Sequence, residues 1–425
     1  MIIENNNFQI PNEFNEDFFN IILQNAIKIP NKSTIINKVS ITMGSSGGEN
    51  YMSKIYRAKI DFNYYNSKNN SKSNEIISII IKHMPDLVKA TFLQRFYSNE
   101  IEIYTKILPI MESFFIGENI KFGPKYYCRF DHEIPTIVME DLGSLNYNVT
   151  DRLIGMNDIQ TQIVLKKIAY FHGASMVLAE KGIFDNFKYY IYQKNKDGEI
   201  VEERQKIRDR IFHGNIKHVI QEFEKFPEFQ PIMEKLKKLT VDELYNLIDK
   251  IIERPNIIKV LNHGDMWVNN VLIRNENENE LADAVFVDFQ LSYYGSLGLD
   301  LQYFFNTSLK IEEHRNRDEL IKIYHKNLEK TLKNLNYNGV IPTLDYIQNE
   351  INECEFIGFM AAQTILLVIS IDRDESKDNS YETFLDKDKI LRQLKNVLTK
   401  NDKVIEILKT TIKRCDNLKV FDNFK

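Results

Sequence analysis

Apolar residues recur at every second position in "MSKIYRAKIDF" (52–62), with Tyr56, Ala58, Ile60 and Phe62 on one side and Arg57, Lys59 and Asp61 on the other. That alternation predicts a half-buried strand. The next run, "IISIIIK" (76–82), is apolar on both faces and predicts a strand interior to its sheet. From about Asp86 to Leu108 the spacing lengthens to a helical period. Beyond Asp141 it is mostly helical, as in "TQIVLKKIAYFHGASMVLAEKG" (161–182), except for an island of two or three short strands at 257–289. The polar stretches "NYYNSKNNSKSN" (63–74) and "NENENE" (275–280) lie between strand-like runs and predict hairpin loops. A strand-rich first third followed by a helix-rich remainder predicts an α+β, bilobal chain. Its antiparallel-sheet N-lobe would span 1–139 and its larger, mainly helical C-lobe 140–425.

Composition narrows the class. With 43% hydrophobic and 27% charged residues in 425, there is ample material for a core. A net charge of −5 without a basic run argues against a nucleic-acid partner. Cys128, Cys354 and Cys415 are odd in number and far apart, so neither a disulfide framework nor a CxxC metal knuckle is predicted. The start, "MIIENNNFQI", lacks the basic and apolar regions of a signal peptide. The most apolar stretch, 356–371, contains Gly358, Gln363 and Ser370 and predicts a buried helix, not a membrane span. The expectation is a cytoplasmic protein with no membrane partner. Oligomeric state is not legible.

The strand island carries the chemistry. In "VLNHGDMWVNN" (260–270) an apolar strand runs into His263-Gly264-Asp265, and Asn270 follows five residues after the aspartate. A second strand, in "AVFVDFQ" (284–290), is predicted to end on Asp288. A hairpin of "VLIR" (271–274) with that strand would bring Asn270 and Asp288 to one end, beside Asp265. Two carboxylates and an amide oxygen form a hard donor set suited to Mg²⁺, which leaves room for water and phosphate. Either aspartate alone reads as a strand-end cap; the spaced set reads as a site.

The first third offers matching parts. "MGSSGGENY" (43–51) places Gly44, Ser45, Ser46, Gly47 and Gly48 just ahead of a strand, where backbone N–H groups can approach a polyphosphate. No G-K-[ST] follows, so it is not a Walker loop, and by itself it reads as a turn. Lys82 ends the all-apolar strand and needs solvent or a partner. On the following helix Leu93, Phe96, Tyr97, Ile103, Tyr104 and Ile107 form one apolar arc. Glu100 falls in the middle of that arc and Glu102 on the opposite face, so Lys82 and Glu100 are predicted to pair.

Glycine loop, strand lysine, helix glutamate, Glu140-Asp141, Asp…Asn loop and Asp-Phe form the order of parts in a protein-kinase-like phosphotransferase. In that order Asp265 accepts the proton of an attacking hydroxyl, and Asn270 and Asp288 hold the magnesium that neutralises nucleotide phosphates. Three rivals stand beside this reading. A metal-dependent phosphoesterase would need more His and Asp ligands than His263 and its neighbours supply. A non-catalytic, kinase-shaped binding module would be expected to have lost one of these groups. A protein kinase would carry HRD, DFG and APE, none of which is present here. "FHGN" (212–215) echoes the motif but carries Asn215, which cannot act as a base.

The chain resembles the ecdysteroid kinase-like (CHK kinase-like) family, relatives of the choline and aminoglycoside kinases. The matching segments are "GGENYMSKIYRAKI" (47–60), "IIIKHMP" (79–85), "NEIEIYTKILP" (99–109) and "IVMEDLG" (137–143), then "LKKIAYFHGAS" (165–175), "LNHGDMWVNN" (261–270) and "VFVDFQLSYYGSLGLDLQYF" (285–304). The resemblance covers roughly residues 40–305 and implies ATP-dependent phosphorylation of a small alcohol, steroid-like or otherwise, with a choline or ethanolamine type as the alternative. It implies that Lys82 contacts the α/β-phosphates, that backbone from Met139 through Glu140 to Asp141 reads the adenine edge, and that Asp300 hydrogen-bonds the catalytic-loop backbone. His263 and His172 would pack and orient. Leu297-Gly298 stands where the family often has Pro-Ala, and Gly173 where it often has Ala; neither departure touches phosphoryl transfer. The aromatic group Tyr293, Tyr294, Tyr303, Phe304 and Phe305 could line the acceptor pocket or stack on a cation, but reads more simply as core.

Overall fold

The computed structural model describes residues 1–5, 8–27, 34–45, 53–66, 71–84, 96–131, 134–184, 187, 214–275, 282–377, 379 and 387–422. Its N-terminal part is a six-stranded sheet in the order β1–β2–β3–β4–β6–β5. The strands are β1 (Ile2–Asn5), β2 (Thr34–Met43), β3 (Lys54–Asn66), β4 (Ser71–His83), β5 (Tyr126–Phe130) and β6 (Thr136–Glu140). All neighbours pair antiparallel except the edge strand β1, which runs parallel to β2. β3 alternates as its sequence predicts: Tyr56, Ala58, Ile60 and Phe62 are buried on the back of the sheet.

Two expectations for this sheet need correction. The polar stretch 63–74 is not all loop, because β3 and β4 pair as far out as Asn66 and Ser71. Backbone pairing does not require apolar side chains at a sheet end that solvent reaches on both faces. β4 is interior, between β3 and β6, but β6 covers only Ile79–His83, and Ile76 is 69% exposed.

Residues 1–40 carry elements that the pattern did not announce. Helix α1 (Glu16–Ile27) covers the back of the sheet with Phe18, Phe19, Ile22 and Leu23, joined by Phe14. Phe14 also meets the ring of His83, which points to the back while its neighbour Lys82 points to the front.

Helix α2 (96–113) faces the front of the sheet, and its apolar arc belongs to the same core as the helical part of the chain. Residues 86–95 of the expected helix lie outside the described residues. The helix also continues past Leu108, through Pro109, to Ser113. It does so by a π turn at Ile103–Ile107, in which the Leu108 N–H reaches back to the Ile103 carbonyl. The wider turn accommodates a proline that has no N–H of its own to donate.

The rest is larger and mainly helical. Helix α3 (Asp158–Ala179) starts with a capping box between Asn157 and Gln160 and is buried nearly all round, as a central helix should be. Helix α4 (Leu297–Thr307), capped by Ser296, and helix α5 (Arg317–Asn334) follow the strand island. The family departures at Gly173 and Gly298 have a packing reason. A Cβ at Gly173 would lie 2.7 Å from Thr331 Cγ2, and one at Gly298 would lie 2.7 Å from the Glu350 carbonyl oxygen.

The apolar stretch after residue 355 is buried, including Phe356, Phe359 and Leu366. Among the described residues no single helix is long and apolar enough to cross a membrane. All three cysteines are unpaired and buried.

Candidate active site

The front of the sheet and the strand island enclose a cleft of about 550 Å³. Lys82 enters it from β4 with its side chain only 5% exposed. Its Nζ donates to both oxygens of Glu100, at 2.9 and 2.7 Å, and to Asp288 Oδ1 at 2.6 Å. Burial alone would lower the pKa of the ammonium, but Asp288 and Glu100 hold it above its usual value. Burial pushes the Glu100 carboxyl up to about 7, against the pull of Lys82. Glu102 lies outside the cleft and pairs with Lys106.

Two more α2 residues reach the same segment. The Tyr104 hydroxyl accepts the Asp288 N–H at 3.2 Å, and Asn99 Nδ2 donates to the carbonyls of Gln290 and Ser292. Asp288 sits at φ 68°, a left-handed conformation in which a non-glycine residue is strained. Tyr104 holds its N–H, Lys82 holds one carboxylate oxygen and Gln290 Nε2 contacts the other at 3.3 Å.

Beyond the two-residue strand β7 (Asn148–Val149), strand β8 (Lys259–Asn262) delivers the His-Gly-Asp loop. Gly264 has φ +83°, and a Cβ there would lie 2.1 Å from the Leu291 carbonyl oxygen, so the loop requires glycine. Asp300, one turn into α4, accepts the His263 N–H at 2.7 Å and the Gly264 N–H at 2.9 Å. His172 Nε2 lies 3.3 Å from the same carboxylate and its Nδ1 lies 2.8 Å from the Tyr324 hydroxyl. His263 is fully buried, and burial lowers its pKa. Its neutral ring donates from Nε2 to the Val287 carbonyl and accepts the Asp265 N–H at Nδ1. It thus bridges the His-Gly-Asp loop and the strand leading to Asp288.

Strands β9 (Val271–Arg274) and β10 (Asp283–Phe286) form an antiparallel hairpin with Val271 opposite Phe286, and the Val287 N–H donates to the Asn270 carbonyl. That register brings Asn270 and Asp288 to one end, as the strand pattern predicts. Residues 276–281 of the turn lie outside the described residues. Asn270 Nδ2 donates to the Asp265 carbonyl oxygen and to Asp265 Oδ2, both at 2.9 Å. The amide nitrogen is therefore committed, which leaves Asn270 Oδ1 as the atom available to a cation. Among the described residues no three His, Cys, Asp or Glu side chains gather as a metal cluster.

The second Asp265 oxygen accepts from the Tyr303 hydroxyl at 2.5 Å. Burial, then the negative charge of Asp288, pushes the Asp265 carboxyl up to about 7, while hydrogen bonds from Tyr303, Asn270 and Trp267 pull the other way.

Gly44 and Ser45 also line the cleft, with the Gly44 N–H bonded to the carbonyl of Ile55, the residue opposite Lys82. Ser46, Gly47 and Gly48 lie outside the described residues. Met139, Glu140 and Asp141 also line the cleft, opposite Leu272 and Val287. The Glu140 N–H is taken by the Lys125 carbonyl, and its carboxylate pairs with Lys121. Of the "FHGN" segment, Gly214 and Asn215 begin a helix, and Asn215 donates to the Gln363 carbonyl.

A profile of the ecdysteroid kinase-like family matches residues 47–337. The chain belongs to the ecdysteroid kinase-like family. Within curated proteins it is similar to a 4-hydroxytryptamine kinase of Psilocybe cyanescens, 24% identical over 245 residues, which is 53% of this chain and 60% of that protein. The chain thus matches less than two thirds of that relative's length. Solved structures with a similar chain path include a Plasmodium vivax ethanolamine kinase (14% identity, 94% of this chain and 93% of that one, TM-score 0.41). A microcompartment-associated aminopropanol kinase is another (12% identity, 89% and 96%, TM-score 0.43).

The cleft of this ecdysteroid kinase-like chain contains groups that the sequence pattern did not announce. Tyr104 was legible only as part of an apolar arc. Tyr303 belongs to an aromatic group of which Tyr293, Phe304 and Phe305 are buried core and Tyr294 stacks on Phe184. A signal for Tyr303 existed: it lies three residues after Asp300, on the same face of one helix.

Proposed function

We propose that this ecdysteroid kinase-like chain is a phosphotransferase that moves the γ-phosphoryl group of Mg·ATP to a hydroxyl of a small molecule. The observation that carries this reading is that Asn270, which is bonded to Asp265, lines one cleft together with Lys82, Glu100 and Asp288. Asp288 and the outward Asn270 Oδ1 are hard oxygen donors and fit Mg²⁺, which would neutralise phosphate charge there. Lys82, held by Glu100, is set to bind the α/β-phosphates. Backbone around Met139–Asp141 would meet the adenine edge, and the loop at 44–48 would cover the phosphates.

Asp265 orients the acceptor hydroxyl and takes its proton as the oxygen bonds to the γ-phosphorus and the bond to the leaving ADP oxygen breaks. His263 and Asp300 act by holding the loop, not by moving protons. Catalysis is then mostly positioning and charge neutralisation.

The acceptor is a small hydroxyl compound. Steroid alcohols follow from the family name, and the 4-hydroxytryptamine kinase similarity adds amine-bearing phenols. An ethanolamine or choline type is the second possibility. We further propose a lobe junction near residues 139–140 and a cytoplasmic site of action.

An ATP-consumption assay with Mg²⁺ tests the reading against steroid alcohols, 4-hydroxytryptamine, choline, ethanolamine and amino sugars, with Asp265→Asn as blank. Turnover of one class, lost in Asp265→Asn, is the expected result. Failure to bind Mg·ATP would favour a binding module without this chemistry.

A further inference from the structure

The cleft carries an ion pair that phosphoryl transfer does not use. Asp141 follows β6 directly, and its carboxylate is 5% exposed. It accepts from Arg57 Nε at 2.9 Å and from Arg57 Nη2 at 3.2 Å. Ser78 Oγ donates to it at 2.6 Å and the Gly143 N–H at 3.0 Å. Its carbonyl takes the N–H and the hydroxyl of Ser144. One residue therefore ties the 141–144 turn to both β3 and β4.

Strand register puts Arg57 opposite Ile80, and Ile80 opposite Met139. These three residues make a row across the front of the sheet and all line the cleft. Arg57 ends that row above the turn; its Nη2 lies 3.1 Å from where a Gly143 Cβ would be. Its side chain remains 38% exposed despite the two-point contact. A guanidinium fixed on a carboxylate is a planar, pre-organised donor that suits a flat heterocycle or a ribose, and it loses little freedom on binding.

Distance separates this group from the phosphates. Ser78 and Lys82 face the same way on β4, four residues apart, which is about 13 Å along a strand. That is the span of a nucleoside, with the phosphate lysine at its other end.

We infer that Arg57 contacts the base-and-ribose part of a purine nucleoside triphosphate and that Asp141 is the positioning residue that fixes both Arg57 and the 141–144 turn. The inference rests on the reading of this cleft as a nucleotide site. Arg57 then sets affinity for the nucleoside, not the rate of phosphoryl transfer.

The test uses the full chain with Mg·ATP, adenosine and tripolyphosphate as separate probes. Arg57→Met should raise KM for ATP and Kd for adenosine about tenfold. The fall in kcat should be much smaller, and inhibition by tripolyphosphate unchanged. Arg57→Lys, which keeps the charge but not the fork, should recover only part of the loss. Asp141→Asn should shift adenosine binding in the same direction, and the double variant should bind no worse than the weaker single variant. Melting curves of each variant identify any that is misfolded, and the half-exposed Arg57 variants carry the result if Asp141→Asn is. If Arg57→Met binds adenosine as the native chain does, or loses tripolyphosphate as strongly as adenosine, the inference falls and the kinase reading stands. If the native chain binds neither ATP nor adenosine, both fall.

Discussion

Lys82 Nζ lies 2.6 Å from Asp288 Oδ1, although the two residues are 206 positions apart. The contact joins the sheet to the strand island, and Glu100 braces it from the α2 side. Lys82→Met would leave Glu100 and Asp288 without their cation in a buried place. The expected result is a drop of about 100-fold or more in kcat/KM, as for the loss of a group that stabilises developing charge. Glu100→Gln, which keeps a hydrogen bond, should cost about tenfold. Steady-state kinetics on both variants decides; an unchanged kcat/KM in Lys82→Met would remove the lysine from the site.

The raised Asp265 carboxyl, at about 7, gives a pH dependence with a definite sign. A base must be ionised to accept a proton, so activity is lost as pH falls through that value. kcat/KM for the acceptor should decline about tenfold per pH unit below about 7. A flat profile between pH 5.5 and 8 would contradict Asp265 as base.

Tyr303→Phe removes the hydroxyl that donates to Asp265 at 2.5 Å. That bond favours the carboxylate, so its loss raises the pKa. The acid limb should move up by about half a unit to one unit, with a loss of roughly two- to fivefold at pH 7. A pH–rate series on this variant separates tuning from packing, because a packing defect lowers the rate without moving the limb.

Asp300→Ala would strip two buried backbone N–H groups and His172 of their acceptor. A destabilisation of about 2–5 kcal/mol is expected, as for other buried groups left unpaired. Thermal melting measures it. Native-like melting of Asp300→Ala would mean that another group supports the catalytic loop.

The chemistry was more legible than the architecture around it. Asp265, Asn270 and Asp288 could be read together because a hairpin of short strands has few ways to fold, and the ends of its strands must meet. Lys82 and Glu100 could be read because a charge in an apolar strand and another in an apolar helical arc each need a partner. Tyr104 and Tyr303 escaped because a tyrosine fits the core pattern with its ring and the site with its hydroxyl, and pattern reports only the ring. Arg57 escaped for the opposite reason: alternation assigned it to a polar face, which in this fold is the cleft. The ends of β3 and β4 were mistaken for loop because composition describes side chains, whereas pairing there is by backbone.

The back of the sheet has a practical consequence. The family profile begins at residue 47 and ends at residue 337, but α1 and β2 lie before it, and Phe18, Phe19, Ile22 and Leu23 close the sheet's rear. An expression fragment cut to the homologous span would present Tyr56, Ala58, Ile60 and Phe62 to water as a continuous oily patch, and such patches self-associate. His83, one peptide bond from Lys82, would lose the Phe14 ring at its back. The span shared with the family is therefore smaller than the packed unit, and truncation to it would strip the rear of the sheet that carries Lys82 and remove Gly44, Ser45 and Ser46 as well.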